Sequence, residues 1–432
     1  MEKKRVLILG AGISGLSLAY FLSRYSDLFE ITILEKKARL GGWIASDVST
    51  GFFFENGPRT FRYSKSQEIL SLVQELGIEH EMIRSPQRVL KRYLWIDGKL
   101  RKAPLLSWPL ISSLLKEWRV PRLEQEDESV YDFACRRFNP TVAQHLFDPL
   151  VIGIYAGDMK VCSMRSCFPN LKEWEERWGS VTRGYFSHPD KRKKGLITLR
   201  GGVETIVRAL KAKIHATYIQ NGEVTSLRFT ENKGIVNEQY EADYVFSALP
   251  AQVIGKLLIP ELLELELKGT TVVNLGYSQE VLKQKGFGYI VSSKENDEVF
   301  GVVFNSNVFP EQNRHSHETR LTVKLRRTNL SDADALEIAL KALKKHLGIH
   351  TPPTVAKVIT AENAFPIMKV GHTAKMQKLE QQMEQRYPRL RLVGNYLYGV
   401  SVDNCIGRSR IVAEKFAQQL STETSPKSLS LI

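Results

Sequence analysis

The chain has 432 residues, 43% hydrophobic and 25% charged, which excludes a disordered protein and leaves room for two or three domains. Four cysteines, Cys135, Cys162, Cys167 and Cys405, fit no zinc or iron–sulfur spacing and read as free thiols of a reducing cytoplasm. The net charge of +14 raises nucleic acid or an anionic membrane as partners, but ten Lys or Arg face only Asp97 and Glu117 between Arg84 and Arg122, a local +8 in a segment that is also apolar.

In chain order, "RVLILGAGISGLSLAYFLSR" reads as strand, turn and helix, so the N-terminal apolar run is expected to be a strand and not a signal peptide. Gly10, Gly12 and Gly15 have the G-x-G-x-x-G spacing, in which glycines permit the tight turn, phosphate approach and close helix packing. Backbone N–H groups of Ala11, Ile13 and Ser14 at the helix start then face a pyrophosphate. A second strand, "EITILE", ends at Glu35, followed by Lys36; an acid here accepts from ribose hydroxyls and repels a 2′-phosphate, favouring NAD or FAD over NADP.

Next comes "FFFENGPRTFRYS", where Gly57, Pro58, Arg59 and Thr60 make a stiff turn behind an apolar run. In "PLLSWPLISSLLKEWRVPR", Trp108, Leu110, Ile111, Leu114, Leu115 and Trp118 recur at helical spacing, and both an interfacial helix and a core helix satisfy that pattern. "HPDKRKKG" reads as an exposed loop. "TTVVNLGY" and "EVFGVVFNS" alternate as strands, "DADALEIALKALKKHL" reads as a helix, and the tail "STETSPKSLSLI" as disordered. The nine histidines show no metal spacing, and no catalytic dyad stands out.

"EKKARLGGW" resembles the second glycine motif of the FAD-dependent amine oxidase and phytoene desaturase superfamily, which selects FAD and places Arg39, Gly42 and Trp43 beside the cofactor. "FENGPRTFR" looks like the F-E-x-G-P-R motif of protoporphyrinogen oxidases, and "LVIGIYAGD", "TLRGGVETI", "ADYVFSALPA", "VVFNSNVFP" and "VGNYLYGVSVDNCI" resemble further motifs of that family in the same order. The resemblance implies oxidation of protoporphyrinogen IX to protoporphyrin IX in haem biosynthesis, with FAD and usually O2. It puts Gly57 to Thr60 near the flavin, Val224 on a strand holding the adenine, and Asn395, Val400, Ser401 and Val402 along the flavin's pyrimidine edge. For the tetrapyrrole substrate it implies Arg92 on a propionate, Phe287 against a pyrrole, and the backbone of Gly153 near the reacting carbon.

The expected fold is α/β: a discontinuous Rossmann-type FAD-binding domain over 1–85, 195–265 and 385–432, a mostly helical, membrane-associating and substrate-entry segment over 86–194, and a mixed-sheet substrate-binding domain over 266–384. A peripheral enzyme on the inner face of the cell membrane, without nucleic acid as partner, follows from the basic apolar segment and the resemblance. The same resemblance leaves room for a homodimer and for contact with the next haem-pathway enzyme. Competing readings are coproporphyrinogen III oxidation, an amine oxidase or desaturase, and, outside enzymes, a binding protein resembling GDP-dissociation inhibitors. A site for four carboxylates needs more cations than Arg92.

Overall fold

The computed structural model describes residues 2–103, 108–187, 195–295 and 297–424. Of the features singled out above, the Trp108 side chain, the loop over 188–194 and the tail from 425 lie outside the described residues.

A five-stranded parallel sheet carries the glycine turn. Its order is Thr217–Gln220, Phe29–Glu35, Lys4–Leu9, Tyr244–Ser247, Leu390–Leu392. Val6 to Leu9 are buried on both faces, as a central parallel strand requires. On one face, Val6 and Ile8 meet helices Ile13–Ser23, Gln67–Leu76, Glu204–Lys213 and Val402–Thr424. On the other, Leu7 and Leu9 share a core with Met376, Leu379 and Met383 of helix His372–Arg386. That helix falls in the stretch expected to serve the substrate sheet. Its apolar side chains at three- and four-residue spacing instead complete the nucleotide-binding core.

The second sheet has seven strands in the order Val355–Pro366, Leu267–Tyr277, Thr319–Leu325, Val299–Phe304, Gly288–Val291, Arg92–Ile96, Lys99–Ala103. The last two strands form a hairpin within 86–194. Asp97 and Gly98, with φ of 53° and 64°, form the two-residue turn that matches strand twist, and Ile96 pairs with Lys99. Trp95 then enters the sheet's core with Tyr289, Val302 and Val323, covered by Ala335, Ala339 and Leu343 of helix Asp332–Leu347.

The rest of 108–187 is helical. Its interior holds a group of buried charges. Arg137 pairs with Glu117 at 3.3 Å and Glu175 at 3.0 Å, while Lys172 pairs with Glu175 at 3.0 Å and Glu128 at 3.3 Å. Glu117 also accepts from the Ser180 hydroxyl and from the N–H groups of Val181 and Thr182, capping helix Val181–Ser187. Burial is the largest influence on Glu117 and Glu175 and pushes both carboxyls up, but hydrogen bonds and cationic partners outweigh it and hold both below the ordinary value. Depressed carboxyls stabilise the fold above their unfolded pKa and lose that contribution as pH falls through the folded one. Glu175→Gln, which leaves Arg137 only Glu117 and Lys172 only Glu128, should therefore cost about 3 kcal/mol at neutral pH, read as a lower midpoint of chemical unfolding, and the deficit should shrink below roughly pH 4.

Candidate active site

The glycine turn is built as the spacing requires. Gly10 has φ of 94°, and a side chain on Gly15 would place its Cβ 1.9 Å from the Gly10 carbonyl oxygen. Helix Ile13–Ser23 starts after Gly12 with no side-chain cap, so its first N–H groups are open to a phosphate. The buried Glu35 accepts from Ala11 N at 2.8 Å and Lys37 N at 3.0 Å, which fixes its carboxylate beside the turn. Lys36 is exposed. Gly41 N donates to the Ala11 carbonyl, and Gly42, at φ of 58°, lies against Gly12.

Arg39, expected to reach the pyrophosphate, donates to the carbonyls of Leu40, Gly42 and Ile44 and so closes the loop resting on Gly12. Trp43 is half exposed, and its carbonyl packs so closely on Gly57 that any side chain there would collide at 2.0 Å. Val224, expected on a strand, lies in the irregular segment before strand Leu227–Phe229, and its side chain lies in the core. The adjacent Gly222 N–H donates to the Glu35 carbonyl.

At the closing motif, Asn395 donates to the Ala364 carbonyl at 3.0 Å, tying the motif to the second sheet. Val400 is half-buried, the Ser401 hydroxyl accepts from Asn404 N, and Val402 enters the core. The Ser409 hydroxyl donates to the Ser14 carbonyl at 2.9 Å, so the closing helix packs against the phosphate helix.

The run "FFFE" joins the two sheets. Phe52 lies on Gly276, the Phe53 carbonyl accepts from Arg320 Nη1 at 2.9 Å, and the Glu55 carbonyl accepts from Asn274 Nδ2 at 3.3 Å. The Glu55 carboxylate takes hydrogen bonds from Val203 N and Ser46 Oγ, at 2.8 and 2.9 Å, and burial pushes its pKa up to about 7. Gly57, Pro58 and Thr60 are half-buried around Arg59. Arg59 Nη1 is buried with no hydrogen-bond partner, and burial, partly offset by the charge of Glu55, pushes the guanidinium down to about 10.

The seven-stranded sheet presents its second face to this turn and to helix Asp148–Tyr155. One row across it runs Arg92, Gly288, Val303, Thr322, Asn274, and the next runs Leu94, Ile290, Gly301, Lys324, Val272. The three residues expected to meet substrate are brought together here. The Arg92 guanidinium lies 5.4 Å from the Phe287 ring, and Gly153 faces Ile290, whose methyl would stand 2.6 Å from an added Cβ. Burial and the neighbouring charge of Arg62 hold Arg92 below the ordinary guanidinium range, and the same two causes lower Lys65.

Sequence reasoning missed Arg62, Lys65 and Lys324. For Lys324 a signal existed: in "TRLTVKLRR", polar Arg320, Thr322, Lys324 and Arg326 alternate with the buried Leu321, Val323 and Leu325.

An uncapped glycine turn, a fixed ribose acid and an orphaned buried guanidinium fit a flavin dinucleotide laid from the phosphate turn to the Gly-Pro-Arg turn. The flavin containing amine oxidoreductase model matches residues 13–415. Protoporphyrinogen oxidase of Bos taurus is 33% identical over 97% of this chain and 99% of its own. Coproporphyrinogen III oxidase of Bacillus subtilis is 25% identical over 94% and 97%. A crystal structure from Exiguobacterium sp. 255-15, provisionally assigned as a protoporphyrinogen oxidase, superposes with a TM-score of 0.86 at 21% identity, covering 97% of this chain and 100% of that one.

The chain belongs to the flavin-containing amine oxidoreductases and, within them, to the protoporphyrinogen oxidase family. It is an FAD oxidoreductase. FAD would be held by the turn around Gly12, by Glu35 and by the closing motif, and supplies a two-electron sink. Gly15→Val should purify colourless, having lost most of its flavin absorbance, while circular dichroism shows the helices retained.

Proposed function

We propose that this chain oxidises protoporphyrinogen IX to protoporphyrin IX, six electrons in three rounds, with O2 reoxidising the flavin. The observation that carries this is the pairing of Arg92 with Phe287 on a sheet face opposite Gly153. A guanidinium at the rim binds a propionate bidentately, and the neighbouring ring stacks on a pyrrole. Arg62, a neighbour of both Arg92 and Lys65, suits the second propionate. Gly153 leaves room for a bulky macrocycle to approach the backbone. No acid or base is needed to make the hydride acceptor; the protein's part is placement and water exclusion. The full-length match to mammalian relatives of that name supports the same reading.

The membrane reading belongs to the same proposal. Helix Trp108–Lys116 and the turn after it bury Leu110, Ser113 and Glu117 but expose Ile111, Leu114, Leu115 and Trp118. Arg119 and Arg183 stand over the Trp118 ring at 4.8 and 5.5 Å, and Phe186 is 69% exposed nearby on helix Val181–Ser187. Exposed apolar side chains ringed by cations suit an anionic bilayer surface. No helix among the described residues is long and apolar enough to cross a membrane. We place the enzyme on the cytoplasmic face of the cell membrane, where it takes a greasy substrate from the bilayer.

Protoporphyrinogen IX added anaerobically should bleach the flavin, with porphyrin fluorescence appearing as air is admitted; no bleaching in a protein that holds FAD sinks the proposal. Arg92→Ala should raise KM roughly 10- to 100-fold with little change in kcat, because the lost contact is made equally in ground and transition states. In liposome flotation, Leu114→Glu/Leu115→Glu should stay at the bottom of the gradient while the wild type floats with anionic vesicles.

A further inference from the structure

We infer that Lys324 is a second carboxylate anchor, opposite Arg92, and that it turns the chamber toward tetrapyrroles carrying carboxylates on both sides of the macrocycle. The inference rests on the tetrapyrrole reading above but sets the preference within that class against protoporphyrinogen IX.

Lys324 sits on the chamber face of strand Thr319–Leu325, in register with Gly301 on one side and Val272 on the other. Gly301 has no side chain, and a Cβ there would stand 2.3 Å from the Tyr289 carbonyl oxygen, so only backbone lies between Lys324 and Ile290, the residue touching Gly153. Among the described residues Lys324 has no hydrogen bond and no ion pair. Its charged neighbour is Arg59, itself with a buried nitrogen that lacks a partner. Two like charges thus converge on one space.

The surrounding acids are all engaged elsewhere. Glu55, on the turn, accepts from Val203 and Ser46. Asp148, on the facing helix, accepts from Ser293 N and lies in the field of Arg326. Glu318 pairs with Arg320 at 2.8 Å. Among the described residues no carboxylate pairs with the Lys324 side chain. Burial, then the charge of Arg59, pushes the ammonium down to about 8, as expected for a cation whose counter-ion is missing. An arriving carboxylate would satisfy it.

Arg92 and Lys324 are three strands apart across the floor, ~14 Å at the usual strand spacing. That span is comparable with the separation of carboxylates on opposite pyrroles. Protoporphyrinogen IX carries propionates on two adjacent pyrroles and would present vinyl groups to Lys324. Coproporphyrinogen III carries a propionate on every pyrrole and would present an anion. The buried cation therefore favours the tetracarboxylate and disfavours the vinyl face.

The test compares the two substrates, as kcat/KM of anaerobic flavin reduction, in wild type and Lys324→Met. Coproporphyrinogen III should lose roughly 10- to 100-fold and protoporphyrinogen IX should hold or gain. Lys324→Arg should restore the wild-type preference. An unchanged ratio in an active, flavin-loaded variant overturns the inference and leaves the proposed function standing. If the cation serves only the reduced flavin, the variant shifts the flavin midpoint potential without ligand and both substrates fall together, which also overturns it. Wild type that reduces its flavin with neither tetrapyrrole means the underlying reading has failed. Should the variants not fold, binding of the oxidised porphyrins to wild type, followed by quenching of protein fluorescence, decides. The affinity ratio of coproporphyrin III to protoporphyrin IX should fall as pH rises above about 8, where free Lys324 loses its charge; a ratio flat with pH refutes the anchor.

Discussion

Arg320 is the bond between the two halves of this molecule. It is 1% exposed and directs its guanidinium to the Phe53 and Phe309 carbonyls, the Asn313 amide oxygen and the Glu318 carboxylate. The first of those bonds pins the "FFFE" run to the floor sheet. From there the constraint passes to Asn274 and the Glu55 carbonyl, and through the Glu55 carboxylate to the start of helix Glu204–Lys213. A buried guanidinium is expensive to leave unpaired, so each partner is held as firmly as the arginine itself. The Gly-Pro-Arg turn hangs from this anchorage. The distance from phosphate turn to sheet floor is therefore fixed by hydrogen bonds between buried side chains and backbone, and not by loop packing.

The parts of this arrangement legible in the sequence are those where backbone geometry forbids alternatives. Gly10, Gly15, Gly42 and Gly57 are glycines because positive φ or a neighbouring carbonyl excludes a side chain, and such positions announce themselves by spacing. The parallel strands were legible for a related reason, since a strand buried on both faces is apolar without interruption. What could not be read was which strands would be neighbours. Lys324 and Gly301 are 23 positions apart, and only the pairing of their strands makes them adjacent. The same holds for Arg62 and Arg92. Two misses were avoidable: the "DG" turn at 97–98 marks a hairpin, and the polar side of "TRLTVKLRR" marks a strand with a polar buried face. The bonds of Arg39 to its local carbonyls were not legible, because spacing does not rank the acceptors open to a guanidinium.

The basic surplus is now divided by use. Arg84 lies 4.5 Å from the Tyr63 ring and Arg92 over Phe287, so part of the excess is buffered by aromatic faces at the chamber rim. Another part stands around Trp118 on the helical segment. Elsewhere in that segment Arg137 and Lys172 are fully neutralised by acids. A single number for net charge concealed three different electrostatic situations, and only the first two are available to an outside anion.

The contact between Ser409 and Ser14 joins positions 395 residues apart. A ribosome adding 5–20 residues each second needs roughly 20–80 s to make that length. Throughout that interval the phosphate turn exists without the edge strand and closing helix that complete its sheet, and apolar faces such as Leu16 and Phe21 have no cover. The nucleotide-binding sheet of this chain therefore closes only once its last segment has been made, and a long interval of exposed apolar surface is built into its topology.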